Sequence, residues 1–405
     1  MPDSNYFWVT DLDDHLLVLD RGKAELHVLN PAASILFLLL EDGDKTFNEL
    51  VEAYSTLVET NSNPSDIIRP TLSAWQNDQW VVEKNQHLSL RKELDGMPKP
   101  FGGRAKLLPH PANLSPAKQS EIFWMQLQSD TQCRIRFAVT EKTNAYPDAI
   151  PRLKAILSGL KSSPSELSVD LTFLIDGEDI YIQTPNYSLV TTDESFGLSS
   201  LATGILHHSY QERNPFATLH AAALIHKNCN LIMPGRSGSG KSTLAGYLAA
   251  HGWHYLGDDV VALGSGDKGA EVLPFCTAIG LKPGSWELLK PWYPQLDNLP
   301  VIPYADRKAR FIEIEPPSRQ QRAFKNVVVL PKYNAQCEGT HLQRLSKSDA
   351  MIAIIHSGLT VGVTPNANNL IHILNFIQST ECYAFKYANL DAADRALKEL
   401  CDAIQ

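Results

Sequence analysis

The chain has 405 residues, a length that predicts two or three domains. Hydrophobic residues make up 43% and charged residues 20%, an ordinary globular balance. The formal net charge of −9 argues against nucleic acid and anionic membrane as partners, while leaving room for a local basic pocket that takes phosphate. Residues 1–9 are polar and acidic, without an apolar stretch of signal-peptide length. The longest apolar run, residues 35–40, falls far short of the roughly 20 residues that a membrane span needs. The six cysteines are scattered, with no C-x-x-C pair, so neither a disulfide framework nor a zinc site is expected. A cytoplasmic protein with free, mostly buried thiols is the expectation.

In chain order, Leu16-Leu17-Val18-Leu19, the turn Asp20-Arg21-Gly22 and residues 24–29 read as strand, turn, strand. Asn30-Pro31 opens a helix with an apolar stripe of Ala32, Ala33, Ile35, Leu36, Leu39 and Leu40. Thr46 and Glu49 have capping-box spacing and start a second helix. Ile67, Ile68, Leu72 and Trp75 mark a third, and Trp80-Val81-Val82 with Leu88-Ser89-Leu90 reads as a closing hairpin. Hairpin, three helices and wing make a small winged-helix-like domain over 1–92. The next stretch, 93–118, holds Pro98, Pro100, Pro109, Pro111 and Pro116 and reads as a linker or an extended strap. The remainder, 119–405, is the second domain. It contains a clear hairpin, residues 171–175 and 180–183 around Asp176-Gly177-Glu178-Asp179.

Gly235-Arg236-Ser237-Gly238-Ser239-Gly240-Lys241-Ser242 fits the phosphate-loop pattern G-x-x-x-x-G-K-[ST] in full, with Thr243 next. An apolar strand, Leu231-Ile232-Met233, precedes it, and a helical stretch over 243–250 follows. The glycines let backbone N–H groups close around phosphate oxygens, and the helix N-terminus adds partial positive charge. Lys241 would reach the β- and γ-phosphates of ATP, and the Ser242 hydroxyl would ligate Mg²⁺. Residues 220–225 and 231–233 flank the turn His226-Lys227-Asn228-Cys229-Asn230, so the phosphate-loop strand sits in a hairpin. That predicts a mixed sheet rather than the parallel sheet of common nucleotide-binding folds. Asp258 and Asp259 follow the helix just before a strand. One suits Mg²⁺, the other suits acceptance of a proton from an attacking hydroxyl. His220 lies in the strand beside the loop strand, and a core or a site role are both open to it.

His220, the loop and the Asp pair, in this order and spacing, resemble the HPr kinase/phosphorylase superfamily. The resemblance covers residues 122–402 in general and is most specific over 216–263. It implies an α/β (α+β) fold related to phosphoenolpyruvate carboxykinase, with a mixed, curved sheet. It implies Asp259 as proton acceptor, Ser242 as a Mg²⁺ ligand, and His220 as partner of the Asp pair, which leaves Asp258 as the acid of the pair expected to hold Mg²⁺. The HPr kinases form hexamers, so it also implies a homo-oligomer. The bifunctional HPr enzymes carry a glutamate-containing, glycine-rich signature after the Asp pair; residues 275–285 here hold no acid. That stretch looks more like the HPr kinase-related enzymes found beside ribosomal-peptide genes. Lys282, and Arg307 and Arg310 in the basic run with Lys308, are candidate phosphate or substrate clamps.

Residues 16–75 resemble the small peptide-recognition domain typified by pyrroloquinoline quinone biosynthesis protein D. In such domains a leader peptide adds as a strand to the hairpin edge and packs against the third helix. A DNA-binding winged helix is the rival, weakly supported because residues 66–77 carry one basic residue, Arg69. The sequence therefore predicts an ATP- and Mg²⁺-dependent kinase for a Ser or Thr hydroxyl on a captured peptide or small protein. A small-molecule hydroxyl kinase and a nucleotide-gated binding module are the alternatives.

Overall fold

The computed structural model describes residues 6–58, 63–92, 105–114, 116–126, 132–140, 142, 144–164, 168–210, 213, 215–304, 307–316, 323–361 and 366–404. At its centre is a six-stranded sheet in the order His254–Gly257, Ala221–His226, Cys229–Pro234, Lys325–Tyr333, Glu381–Tyr387, Thr340–Arg344. The hairpin of Ala221–His226 and Cys229–Pro234 is antiparallel, while Lys325–Tyr333 runs parallel to Cys229–Pro234 and to Glu381–Tyr387. The sheet is mixed, as the hairpin beside the phosphate loop predicted, and the class is α/β.

Side chains on adjacent strand residues point to opposite faces, and here each face has its own core. Ala222, Leu224, Leu231, Met233, Val327 and Val329 pack with Leu244 and Leu248 of the helix Lys241–Ala250. Ala221, Ala223, Ile225, Ile232 and Val328 face the helices Lys347–Gly358 and Ala367–Ser379.

The N-terminal region contains the expected elements and two strands that the sequence reading missed, Phe7–Leu12 and the short Lys45–Thr46. Phe7–Leu12, His15–Asp20 and Glu25–Leu29 form an antiparallel three-stranded sheet. Asn30 caps the helix Pro31–Glu41, and Thr46 with Glu49 forms a complete capping box on Phe47–Leu57. Pro64–Asn77 is the third helix, and the wing pairs Val81–Lys84 with His87–Leu90. Alternation again sends side chains both ways. Leu16 and Val18 join the core of this winged unit. Leu17, Leu19, Trp8, Leu12 and Leu26 join the core under the helices Lys347–Gly358 and Ala367–Ser379. The N-terminal sheet is therefore buried between two layers.

A second six-stranded sheet spans residues 106–191, and its core runs into that of the central sheet through the helix Glu194–Ser209. The stretch 93–118, expected to be a linker or an extended strap, includes one strand. Lys106–Leu108 pairs with Ser188–Thr191 as an edge strand of this sheet. Extended backbone with free N–H groups at 106–108 finds partners there. Pro98 and Pro100 lie outside the described residues. Five of the six cysteines are buried, Cys337 partly, and all are free. Among the described residues no helix is long and apolar enough to cross a membrane.

Candidate active site

Two antiparallel strand pairs cross from one sheet to another at the same point. Ala217–Leu219 belongs to a four-stranded sheet with Val261–Gly266, while Ala221–His226 pairs with His254–Gly257 in the central sheet. His220 is the single residue between the first two strands, and Asp258, Asp259 and Val260 lie between the second two. The expectation that His220 sits within a strand is thus corrected: it marks a break between strands. A strand that changes sheet must bend, and the bend turns side chains out of the flanking cores. Asp259 has φ +65°, a left-handed conformation that Asp tolerates better than most residues and that is enriched at functional sites.

The phosphate loop leaves the C-terminal end of Cys229–Pro234 beside this corner. Gly238 and Gly240 have φ of +93° and +91°, where only glycine is unstrained. Gly240 has a second reason: a Cβ would stand 2.5 Å from the Tyr387 hydroxyl. That hydroxyl donates to Gly240 O at 3.3 Å, and Tyr333 N donates to Ser239 O at 3.1 Å. The ends of the two strands that run parallel to the loop strand, its neighbour Lys325–Tyr333 and the next strand Glu381–Tyr387, therefore pin the loop. Arg236 Nε donates to His356 O at 3.2 Å, and His220 N donates to Gly358 O at 2.7 Å. The last turn of Lys347–Gly358 thus holds both the loop and the histidine.

Lys241 Nζ donates to Asp258 Oδ1 at 3.1 Å and to Asp259 Oδ1 at 2.9 Å. His220 Nδ1 stands 3.9 Å from Asp259 Oδ1. Burial opposes the Lys241 charge, but the two carboxylates outweigh it and hold the ammonium above its ordinary value. Burial, reinforced by the Asp259 charge, raises the Asp258 carboxyl against the Lys241 charge and the Ser242 hydroxyl. Burial and the Lys241 charge lower His220 against the pull of both carboxylates, which favours the neutral imidazole.

The two carboxylates differ in access. Asp258 is 1% exposed, while Asp259 is 28% exposed and lines a cleft of about 720 Å³ that runs over the phosphate loop. Such a volume suits a small ligand. Asp258 Oδ2 is buried without a hydrogen-bond partner of proper geometry among the described residues. An orphaned carboxylate oxygen next to a loop serine fits Mg²⁺, a hard cation that takes few protein ligands and completes its shell with phosphate oxygens and water. Among the described residues no group of three or more His, Cys, Asp or Glu is arranged as a metal cage.

Every residue of the loop from Arg236 to Thr243 lines the cleft, with His220, Asp259 and Lys282. Gly235 sits just behind, its N donating to His220 O at 3.4 Å. Lys282 Nζ donates to Ser237 Oγ, and Thr243 is bonded to Ser285. Arg310 lies over the Trp286 ring at 4.3 Å and 3.9 Å from Asp297, and it is not among the residues that line the cleft. Arg307 opens the strand Arg307–Ile312, and its side chain lies outside the described residues. Tyr333, Tyr387 and Gly358 were missed in the sequence, for they lie far along the chain in segments with no motif.

No family model matches the chain, and no curated protein matches it. Among solved structures it is similar to the Hpr(Ser) kinase/phosphatase from Coxiella burnetii, with 10% identity and a TM-score of 0.22, over 46% of this chain and 94% of that one.

Proposed function

We propose that this chain is an ATP-dependent kinase that phosphorylates a Ser or Thr hydroxyl of a peptide or small protein held by its N-terminal unit. One observation carries the reading. Across the phosphate loop the lysine meets two carboxylates, of which only Asp259 reaches the cleft. The acceptor O–H gives its proton to Asp259 as its oxygen bonds the γ-phosphorus. The bond from that phosphorus to the β–γ bridging oxygen breaks, and ADP leaves. The loop N–H groups and Lys241 hold the phosphates, in competition with the two carboxylates for the ammonium. His220, neutral, orients Asp259. Mg²⁺, held by Ser242 and Asp258, would neutralise charge that develops on the phosphate oxygens.

Peptide capture rests on the edge strand Glu25–Leu29, beyond which no further strand pairs among the described residues. An extended peptide would add there through backbone hydrogen bonds, raising its effective concentration at the cleft. The test incubates full-length protein with Mg-ATP and pools of Ser- and Thr-containing peptides, reading phosphopeptides by mass spectrometry. Phosphate on peptide with wild type, and none with Asp259→Asn, supports the reading. ATP turnover equal in the two proteins with no labelled acceptor sinks it.

A further inference from the structure

The phosphate loop fills only one end of the cleft. From Thr243 the cleft follows one face of the helix Lys241–Ala250 to Tyr247, four residues and about 6 Å further along the axis. There it meets Leu288 and Trp292, which are 49% and 39% exposed although large and apolar. Trp292 packs edge-on against Tyr247 with centroids 5.0 Å apart, which fixes its ring. Asp391, in the first turn of Leu390–Ala403, also lines this end and accepts from the Tyr247 hydroxyl through Oδ1. Tyr333, the other exposed aromatic of the cleft, is tied to Ser239 and so belongs to the phosphate end.

We infer that this end is the nucleoside subsite: the base lies on Trp292 and Leu288, and the second oxygen of Asp391 accepts from a ribose hydroxyl. The inference rests on the nucleotide reading above and names what that reading leaves open. A triphosphate seated on the loop has its α-phosphate at the start of the helix, beside Thr243. The nucleoside must then continue along the open cleft, and the apolar end is the part of it with surface suited to a ring. Exposed apolar side chains rimming a cleft mark a surface that a ligand covers. A base stacked on a fixed indole removes that surface from water, and a carboxylate reads a sugar diol through charge-assisted hydrogen bonds.

Calorimetry on the full chain tests this with Mg-ATP, Mg-tripolyphosphate and Mg-2′,3′-dideoxy-ATP. Trp292→Ala should weaken Mg-ATP by roughly tenfold or more and leave Mg-tripolyphosphate unchanged. Leu288→Ala, at a half-exposed position where little packing is lost, should do the same to a smaller degree. Asp391→Ala should abolish the preference for ATP over the dideoxy nucleotide, a ratio that a merely structural role would not move. Wild-type affinity for Mg-ATP in both Trp292→Ala and Leu288→Ala overturns the subsite and leaves the phosphate loop standing. Equal losses of ATP and tripolyphosphate in both variants also overturn it. Wild type that binds neither ligand removes the nucleotide reading itself.

Discussion

Asp258 and Asp259 are neighbours in sequence with different environments, and their variants should differ accordingly. Asp259→Asn keeps shape but cannot accept a proton. It should lower phosphoryl transfer by about 10²- to 10⁴-fold with nucleotide affinity retained, as single-turnover kinetics and calorimetry would report. A variant with most of its transfer rate intact would move the base elsewhere. Lys241→Met should lose nucleotide binding and also stability, because it leaves Asp258 buried beside Asp259 without a countercharge. Breaking a buried pair costs about 3 to 5 kcal/mol when the remaining group stays charged. Lys241 is the charge that lowers the Asp258 carboxyl against burial and Asp259, so its removal raises that carboxyl further and favours proton uptake on acidification. A carboxyl raised in the folded state contributes stability below its unfolded value of 3.8 and loses it as pH rises through the raised folded value. The stability deficit of Lys241→Met against wild type should therefore shrink as pH falls from neutral. Denaturant melts at several pH values check this, and a deficit that grows on acidification contradicts it.

At the scale of elements, the site depends on a corner and a rod. The corner is the pair of strand breaks at His220 and at 258–260. The rod is the helix Lys347–Gly358. At its start Ser348 N donates at 3.1 Å to Asp13 Oδ2, in the turn between the strands Phe7–Leu12 and His15–Asp20. At its end are the carbonyls of His356 and Gly358, which hold Arg236 and His220. Gly358 has φ +113°, and a Cβ there would stand 3.1 Å from His220 Cβ. Gly358→Ala should cost about 1 to 3 kcal/mol from the backbone alone and should displace the imidazole. The expected result is a lower melting temperature together with a lower kcat, while an alanine variant with wild-type kcat would show that His220 tolerates the shift. These elements were legible in part. The capping box at Thr46, the loop glycines and the hairpin before them are local signals, because neighbouring residues satisfy them. The strand Phe7–Leu12 was missed because its polar residues, Thr10 and Asp11, interrupt the run that pairing with His15–Asp20 makes regular.

Across the whole molecule, the N-terminal sheet contributes Trp8, Leu12, Leu17, Leu19 and Leu26 to the core under the helices Lys347–Gly358 and Ala367–Ser379. At about 1.5 to 3 kcal/mol for each large apolar side chain, that contact is on the order of 10 kcal/mol, an upper bound comparable with the stability of a domain. A chain lacking residues 1–92 should therefore melt lower and aggregate, which size-exclusion chromatography and thermal melts would show. A monomeric truncation that hydrolyses ATP like the full chain would mean that the two units fold independently. Capture of a peptide is better tested in the full chain, by competition with excess unphosphorylatable peptide, which should raise the apparent KM and leave kcat unchanged.

The sequence by itself determined the phosphate loop, the candidate pair of acids and the mixed sheet, because each follows from local chemistry: glycine dihedrals, a lysine and serine at fixed offset, and a turn too short for a crossover. Tertiary structure alone decided which carboxylate faces the cleft. Asp258 and Asp259 are the same residue type one position apart, and burial, set by strands distant in sequence, tells them apart. The same holds for Tyr333, Tyr387 and Gly358, whose parts depend on parallel pairing and helix packing over long range. It holds also for Arg310, a charge that reads as a clamp along the chain and in space packs on Trp286. Motifs are local, but access, contact and charge at the site are sums over the whole fold.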